Sequence, residues 1–146
     1  MMRPILVIED ADEDFDVLSS SLRRADVPNE ILRCSTGREI SNYMGTVTAQ
    51  PASRCPAIIL LDLNLPGADG RKVLRDLREH PLLRAVPVII FTTSAQPSDV
   101  EACYRLGASG YMVKPVDLHD FEAMVRQMSE YWLSCVTLPK YPHVYR

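Results

Sequence analysis

The 146 residues correspond to one ordinary domain, and a hydrophobic content of 47% is enough to build a sizeable core. Sixteen Lys and Arg residues against 19 Asp and Glu residues give a net charge of −3, which argues against the basic face of nucleic-acid-binding domains. The first apolar run is too short for a signal peptide, and no run approaches the roughly 18 residues of a membrane span. The four cysteines lack metal-ligand spacing and suit a reducing compartment. We therefore expect a soluble, cytoplasmic protein that binds neither nucleic acid nor membrane.

Five apolar runs predict β-strands that are buried on both faces, because the runs are continuous rather than alternating and are rich in Ile and Val. In chain order they cover residues 5–8, 31–34, 57–61, 86–91 and 111–113. Helical patterns, with apolar residues three and four positions apart, follow each run. The first pattern includes Phe15, Leu18 and Leu22, the fourth ends at Gly107, and the last begins at Leu118 and is long.

A strand followed by a helix, five times over, is typical of an α/β protein whose parallel sheet carries helices on both faces. For five strands we expect the flavodoxin-like, doubly wound (βα)5 arrangement with strand order 2-1-3-4-5. Residues 46–56 contain two prolines and little pattern, which predicts a surface loop. We expect residues 1–138 to form this one domain and residues 139–146 a C-terminal tail, with no output domain.

Polar side chains follow four of the predicted strands, at the end where open α/β sheets place their working sites. In chain order these residues are Glu9 and Asp10 after the first strand, Asp62 at the third, Thr92 at the fourth and Lys114 after the fifth. The four strands are neighbours in the expected order. We therefore expect the five side chains to meet at one edge of the sheet.

The chemistry of this set points to phosphoryl transfer. Crowded carboxylates repel one another unless a cation joins them, and ligands that are all oxygen favour Mg²⁺. The carboxylate of Asp62 can attack phosphorus and form an aspartyl phosphate. Mg²⁺ and Lys114 would neutralise the added charge, and the Thr92 hydroxyl would donate to a phosphoryl oxygen.

Each residue type also has a purely structural interpretation. The acids at positions 9, 10 and 12–14 open a helix, where acids cap free N–H groups and oppose the helix dipole, and we assign Asp12, Glu13 and Asp14 to that role. A lone acid or threonine at a strand end, or a Lys-Pro turn, is ordinary in any protein. Their common placement at one edge favours the phosphoacceptor interpretation.

Four stretches resemble the receiver domain of two-component response regulators: ILVIEDADED, IILLDLNLPGADG, PVIIFTTSA and GASGYMVKP. They follow the family's order and spacing and span roughly residues 4–134. The resemblance implies that Asp62 accepts a phosphoryl group from a phosphohistidine of a sensor histidine kinase. It also implies that the protein is not an enzyme, beyond weak self-catalysed phosphorylation and dephosphorylation.

The resemblance further implies a metal site. Asp10 would bind Mg²⁺ directly and Glu9 through water, while Asp62 and the backbone carbonyl of Asn64 would complete the ligand set. Glu9 stands where Asp is commonest in the family, and this variation should preserve metal binding.

A conformational switch is also implied. Thr92 matches the switch hydroxyl, Lys114 the lysine that pairs with the phosphate, and Tyr111 the aromatic side chain that turns inward when Thr92 moves. The face of helix 4, strand 5 and helix 5 would then change. A half-buried aromatic with a solvated hydroxyl is the alternative for Tyr111. Thr93 stands where the family often has Ala, and this bulkier residue is expected to slow transfer or hydrolysis of the phosphoryl group.

The segment YWLSCVTLP resembles the small single-domain response regulators that serve cyanobacterial and other bacterial phytochrome kinases. The implied partners are a sensor histidine kinase, with phytochromes as candidates, and a downstream protein of unknown identity. A second apolar stripe on the last helix, expected to be exposed, predicts a homodimer through helix 5 and the C-terminal segment. The stripe comprises Met124, Met128, Tyr131, Cys135, Val136 and Leu138.

Two other functions compete with this interpretation. Haloacid-dehalogenase-like phosphatases also use an Asp nucleophile, Mg²⁺, a Thr or Ser, and a Lys, but they carry DxD after the first strand. Here EDAD follows the first strand, and Asn64 occupies the place of the second acid after the third. A degenerate receiver that only binds partners is the other alternative, and the complete set of site residues argues against it.

Overall fold

The computed structural model describes residues 2–139. Its main sheet consists of β1 (Ile5–Ile8), β2 (Ile31–Cys34), β3 (Ile58–Leu61), β6 (Val88–Thr92) and β7 (Gly110–Val113). Two short strands, β4 (Asn64–Leu65) and β5 (Ala68–Asp69), form a separate antiparallel pair that the sequence patterns did not predict. The main sheet is parallel with the order β2-β1-β3-β6-β7. When the five strands of the main sheet alone are numbered along the chain, this is the predicted flavodoxin-like order 2-1-3-4-5, which is therefore confirmed.

Within the described residues, five α-helices accompany the sheet: α1 (Asp12–Arg24), α2 (Gly37–Thr46), α3 (Gly70–Glu79), α4 (Pro97–Arg105) and α5 (Leu118–Glu130). Gly107 follows α4 with φ of 99°, a conformation that ends helices and that glycine adopts without a steric penalty. Helix α5 continues as a π-helical turn at Tyr131–Cys135. None of the described helices is long and apolar enough to span a bilayer.

Both faces of the central strands are buried. Leu6 and Ile8 of β1 belong to an apolar cluster that includes residues of α2, α3 and α4, whereas Ile5 and Val7 belong to a second cluster with residues of α1 and α5. Successive strand residues point to opposite faces of a sheet, so helices on both sides require every position to be apolar. This arrangement explains the continuous apolar runs in the sequence.

The segment predicted as a surface loop, residues 46–56, is partly built into the core. It contains two 3-10 turns, Val47–Ala49 and Ala52–Arg54. Val47 is 1% exposed and Cys55 is 2% exposed, and both pack in the cluster that contains α2 residues. The prediction of a surface loop is therefore wrong for these two side chains, which anchor the segment to the domain.

The second stripe of α5 is less exposed than predicted. Met128 is only 5% exposed and lies in the core, and Met124 and Leu138 pack against the same cluster. Helix α5 lies against α1 as well as the sheet, so part of the second stripe is buried together with the first. Tyr131, which is 56% exposed, and Cys135 are the stripe residues that face solvent.

The chain after α5 returns to the amino end of the sheet. The guanidinium of Arg3 donates hydrogen bonds to the carbonyl oxygens of Cys55, Pro56 and Pro139, and so joins this segment to the start of β1. The remainder of the expected tail, residues 140–146, lies outside the described residues.

Candidate functional site

The carboxyl ends of β1, β3, β6 and β7 form one edge of the sheet, and the predicted residues lie there. One carboxylate oxygen from each of Glu9, Asp10 and Asp62 lies within 4.8 Å of the others. Glu9 is 4% exposed and Asp62 is 6% exposed, whereas Asp10 is half-buried. The fold therefore concentrates three acids in a site that is largely closed to water.

This concentration of negative charge has an electrostatic cost. Burial raises the pKa of Glu9 to about 7, although the hydrogen bond from Lys114 opposes the effect, and the charge of Asp62 adds to it. Three clustered carboxylates with no nitrogen or sulfur donor among them fit a hard divalent cation. A bound cation would offset the repulsion among these carboxylates.

Lys114 is the cation that the structure itself supplies. Its side chain is 5% exposed, and its Nζ donates to Glu9 Oε1 at 2.5 Å, to Asp62 Oδ2 at 2.8 Å and to Asp14 Oδ2 at 2.8 Å. Burial alone would lower the pKa of Lys114, but the hydrogen bonds to three carboxylates outweigh burial and raise the pKa above its ordinary value. Lys114 therefore stays charged at neutral pH.

Asp14 was assigned to the opening of a helix on the sequence alone, and that assignment is incomplete. Asp14 does lie in the first turn of α1, but its carboxylate also contacts the Lys114 ammonium. The available signal was its place four residues after Asp10 in the chain. That spacing could not show which element its side chain faces.

Arg33 is a second residue that the sequence interpretation missed. Its guanidinium donates to the backbone carbonyls of Glu9 at 3.0 Å and Asp10 at 3.2 Å, and it forms an ion pair with Asp12. Ala11 occupies the N-cap of α1 without a side-chain hydrogen bond. Asp12 lies in the first turn, where its charge interacts favourably with the helix dipole, and it also pairs with Arg33. The only sequence signal was an arginine inside the apolar run of β2.

The loop after β3 holds Asp62 from its other side. Asp62 Oδ1 accepts a hydrogen bond from the Asn64 backbone N–H at 3.1 Å, while Oδ2 faces Lys114. Helix α3 begins against this loop at Gly70, where an added Cβ would lie 2.5 Å from Leu63 Cα and 3.0 Å from the Asp62 carbonyl oxygen. A residue without a side chain is needed at this close approach.

Thr92 is completely buried at the end of β6. Its Oγ1 lies 3.4 Å from Asn64 Nδ2 and 3.4 Å from the Ser94 backbone nitrogen, and it is the acceptor in both contacts. Both distances are at the long limit for a hydrogen bond. These contacts therefore hold the hydroxyl weakly and do not engage its proton.

Tyr111 is half-buried on β7, and its hydroxyl donates to the Ser94 carbonyl oxygen at 2.8 Å. Burial raises the pKa of this hydroxyl. The half-buried position agrees with both interpretations of Tyr111, and the Ser94 carbonyl gives its hydroxyl a protein acceptor. Ser94 joins the two predicted switch residues, because its N–H faces Thr92 while its carbonyl accepts from Tyr111.

Comparison with known proteins gives consistent matches over most of the chain. Residues 5–126 match the family described as the response regulator receiver domain. The response regulator Rcp1 of Synechocystis sp. strain PCC 6803 is 35% identical over 135 residues, which cover 92% of each chain.

Two solved structures are similar over nearly the full length. The phosphorylated cyanobacterial phytochrome response regulator RcpA has a TM-score of 0.86 and 35% identity, covering 95% of this chain and 99% of its own. The Mn²⁺-bound form of Rcp1 has a TM-score of 0.84 and 34% identity, with the same coverage of 95% and 99%.

Proposed function

The chain belongs to the response regulator receiver family, and from that premise we propose that it is a phosphoacceptor switch that receives a phosphoryl group on Asp62 from a sensor histidine kinase. The observation that carries this proposal is the environment of the Asp62 carboxylate. One oxygen accepts from the Asn64 N–H, and the other accepts from the Lys114 ammonium within a cluster of acids. The protein would act as a phosphoacceptor and not as an enzyme with its own substrate.

In the proposed step an Asp62 oxygen forms a bond to phosphorus while the bond from phosphorus to the imidazole nitrogen of the kinase phosphohistidine breaks. The electron pair of the broken bond stays on that nitrogen, which takes a proton from solvent. Lys114 Nζ, 2.8 Å from Asp62 Oδ2, would then neutralise part of the charge on the transferred group.

Glu9, Asp10 and Asp62 would hold Mg²⁺, with the backbone carbonyl of Asn64 as a further ligand. The cluster of three carboxylates supports this assignment, as does the Mn²⁺-bound form of the relative Rcp1. When bound, the cation would neutralise part of the negative charge on the phosphoryl oxygens. The Arg33 contacts to the carbonyls of Glu9 and Asp10 would keep these ligands in place.

The response to phosphorylation would pass through Ser94. A phosphoryl group adds about 1.5 to 2 negative charges and three strong acceptor oxygens. The Thr92 hydroxyl would turn to donate to one of them, because its present contacts are long. The Ser94 N–H would then lose its acceptor, and the loop that receives the Tyr111 hydroxyl would shift. The face of α4, β7 and α5 would present the change to a downstream protein.

RcpA is described as a phytochrome response regulator, and similarity to it supports a phytochrome kinase as the upstream partner. We further propose that residues 1–138 act as the receiver unit and that two copies associate through α5 and the C-terminal segment. Exposed Tyr131 and Cys135 support this contact surface. Light scattering should detect a dimer, and a monomer at all concentrations in both phosphorylation states would exclude it.

Phosphorylation with phosphoramidate, a small donor with a P–N bond, tests the site assignment. After the reaction with phosphoramidate in the presence of Mg²⁺, borohydride reduction converts an aspartyl phosphate to homoserine. Peptide mass spectrometry then locates the homoserine in the chain. We expect the reduced residue at position 62 and none in Asp62→Asn. Asp16→Asn, a substitution of an exposed acid on α1, serves as the control and should label normally. Reduction at another acid, or at none, would refute the proposal.

A further inference from the structure

Asp14 has no role in the site described so far beyond its contact with Lys114. We infer that Asp14 is a positioning residue, which fixes the Lys114 ammonium where it can serve the reaction of Asp62. This inference rests on the proposed phosphoacceptor function and adds a residue to its machinery.

The first argument comes from the hydrogen-bonding capacity of lysine. An ammonium has three N–H donors, and all three have a carboxylate partner here: Glu9 at 2.5 Å, Asp14 at 2.8 Å and Asp62 at 2.8 Å. Two of these partners are unsuited to hold Lys114 throughout the reaction. Asp62 becomes an acyl phosphate, and Glu9 belongs to the group that fits the cation.

Asp14 is the partner that neither event changes. It is not part of the three-acid group within 4.8 Å, and it does not accept the phosphoryl group. It also lies on α1, a regular helix, whereas Asp62 lies in the loop after β3. Lysine has a flexible stem and a point charge, so its position depends on such contacts. The hydrogen bond that Asp14 accepts would therefore keep Lys114 aligned while the other partners of Lys114 change.

The location of Asp14 makes the inference testable without loss of the fold. Its side chain is 43% exposed, whereas that of Lys114 is 5% exposed. Asp14 and Lys114 both line an open pocket of about 370 Å³ beside the site. Truncation of the Asp14 side chain therefore widens this pocket and creates no buried cavity. A change in reactivity would then report the bond to Lys114.

Acids in the first turn of a helix also act through the helix dipole, and a control must separate that effect. Glu13 is adjacent, exposed and in the same turn of α1, so Glu13→Ala removes an equal charge at nearly the same place. A dipole effect predicts similar results for the Glu13 and Asp14 variants. A positioning role predicts that only Asp14 matters.

The experiment compares Asp14→Ala, Asp14→Asn and Glu13→Ala at saturating Mg²⁺ with phosphoramidate as donor. We expect Asp14→Ala to slow phosphorylation by about tenfold, the scale of one hydrogen bond to a charged group. Asp14→Asn retains an acceptor oxygen and should restore most of the rate. Glu13→Ala should react like the unaltered protein, and Mg²⁺ affinity by calorimetry should be unchanged in all three.

A second readout observes Lys114 directly. The chain has three lysines, so ¹⁵N spectra of their ammonium groups are simple, and Lys114→Arg identifies the signal of Lys114. Hydrogen exchange at its Nζ should accelerate in Asp14→Ala and not in Glu13→Ala. A normal rate and an unchanged Lys114 signal in Asp14→Ala would overturn the inference while the phosphoacceptor function stands. Absence of phosphorylation in the unaltered protein would refute that function instead, and the Lys114 signal would still decide whether Asp14 holds the ammonium.

Discussion

Replacement of Gly70 by alanine tests how tightly α3 packs against the loop that carries Asp62. The added Cβ would lie 2.5 Å from Leu63 Cα, whereas ordinary van der Waals contact begins at 3.4 Å. The two backbones must therefore separate by about 0.9 Å, and overpacking of this kind costs about 1–3 kcal/mol. Alanine regains about 0.4–1 kcal/mol, because it restricts the unfolded chain more than glycine does. The two ranges leave a net loss of about 0–2.5 kcal/mol in the free energy of unfolding, with a centre near about 1 kcal/mol.

Gly45→Ala is the matched control, because nothing lies within 4 Å of the added Cβ at this exposed position of α2. It should stabilise the protein by about 0.4–1 kcal/mol, because alanine restricts the unfolded chain without meeting a neighbour in the folded one. Urea titrations of both variants measure the two changes, which should have opposite signs.

The same displacement predicts a functional effect. A shift of about 1 Å at a reacting group can reduce a rate by up to a hundredfold, so Gly70→Ala should also accept phosphoryl groups more slowly. Gly45→Ala should react at the normal rate. If Gly70→Ala is as stable and as reactive as the unaltered protein, the close approach of α3 does not position Asp62, and the reasoning fails.

Three further predictions concern the site and the core. Thr93→Ala should speed loss of the phosphoryl group by about threefold, which corresponds to ~0.6 kcal/mol of barrier. The reason is that exposed Thr93 lines the open pocket beside Lys114, where its side chain is expected to slow hydrolysis. The intact mass of the protein, followed over time, measures the decay. Apparent Mg²⁺ affinity should rise with pH through about 7, because the raised pKa leaves Glu9 protonated and unable to bind metal below that pH. Calorimetry should show a flatter pH profile of affinity for Glu9→Gln. An equally steep profile in that variant would assign the pH dependence to another group. Leu74→Ala should lower the free energy of unfolding by ~2–5 kcal/mol, since Leu74 is fully buried. In the same urea titration, substitution of the exposed neighbour, Arg75→Ala, should change it by less than about 0.5 kcal/mol. Equal changes in the two variants would contradict the burial of this face of α3.

Much of the fold could be predicted because the central strands are buried on both faces. That burial leaves continuous apolar runs in the sequence, and alternation with helices then restricts the topology to few choices. The β4–β5 pair escaped prediction because each strand has only two residues, too few for a periodic pattern. The burial of Val47 and Met128 escaped because it depends on how the chain packs in three dimensions and not on local spacing.

The site shows a similar division. Residues that directly follow strands could be predicted to meet, since parallel strands share an edge, and the structure brings Glu9, Asp10, Asp62 and Lys114 together there. Asp14 contacts a residue 100 positions away, and no local pattern in a single sequence encodes such a pairing.

The most direct test of the central claim is the intact mass of the protein after incubation with acetyl phosphate, with and without Mg²⁺, for the unaltered chain and Asp62→Asn. The phosphoacceptor account predicts the gain of one phosphoryl group that requires Mg²⁺ and is absent from Asp62→Asn. No gain in mass, or an equal gain in Asp62→Asn, would contradict it.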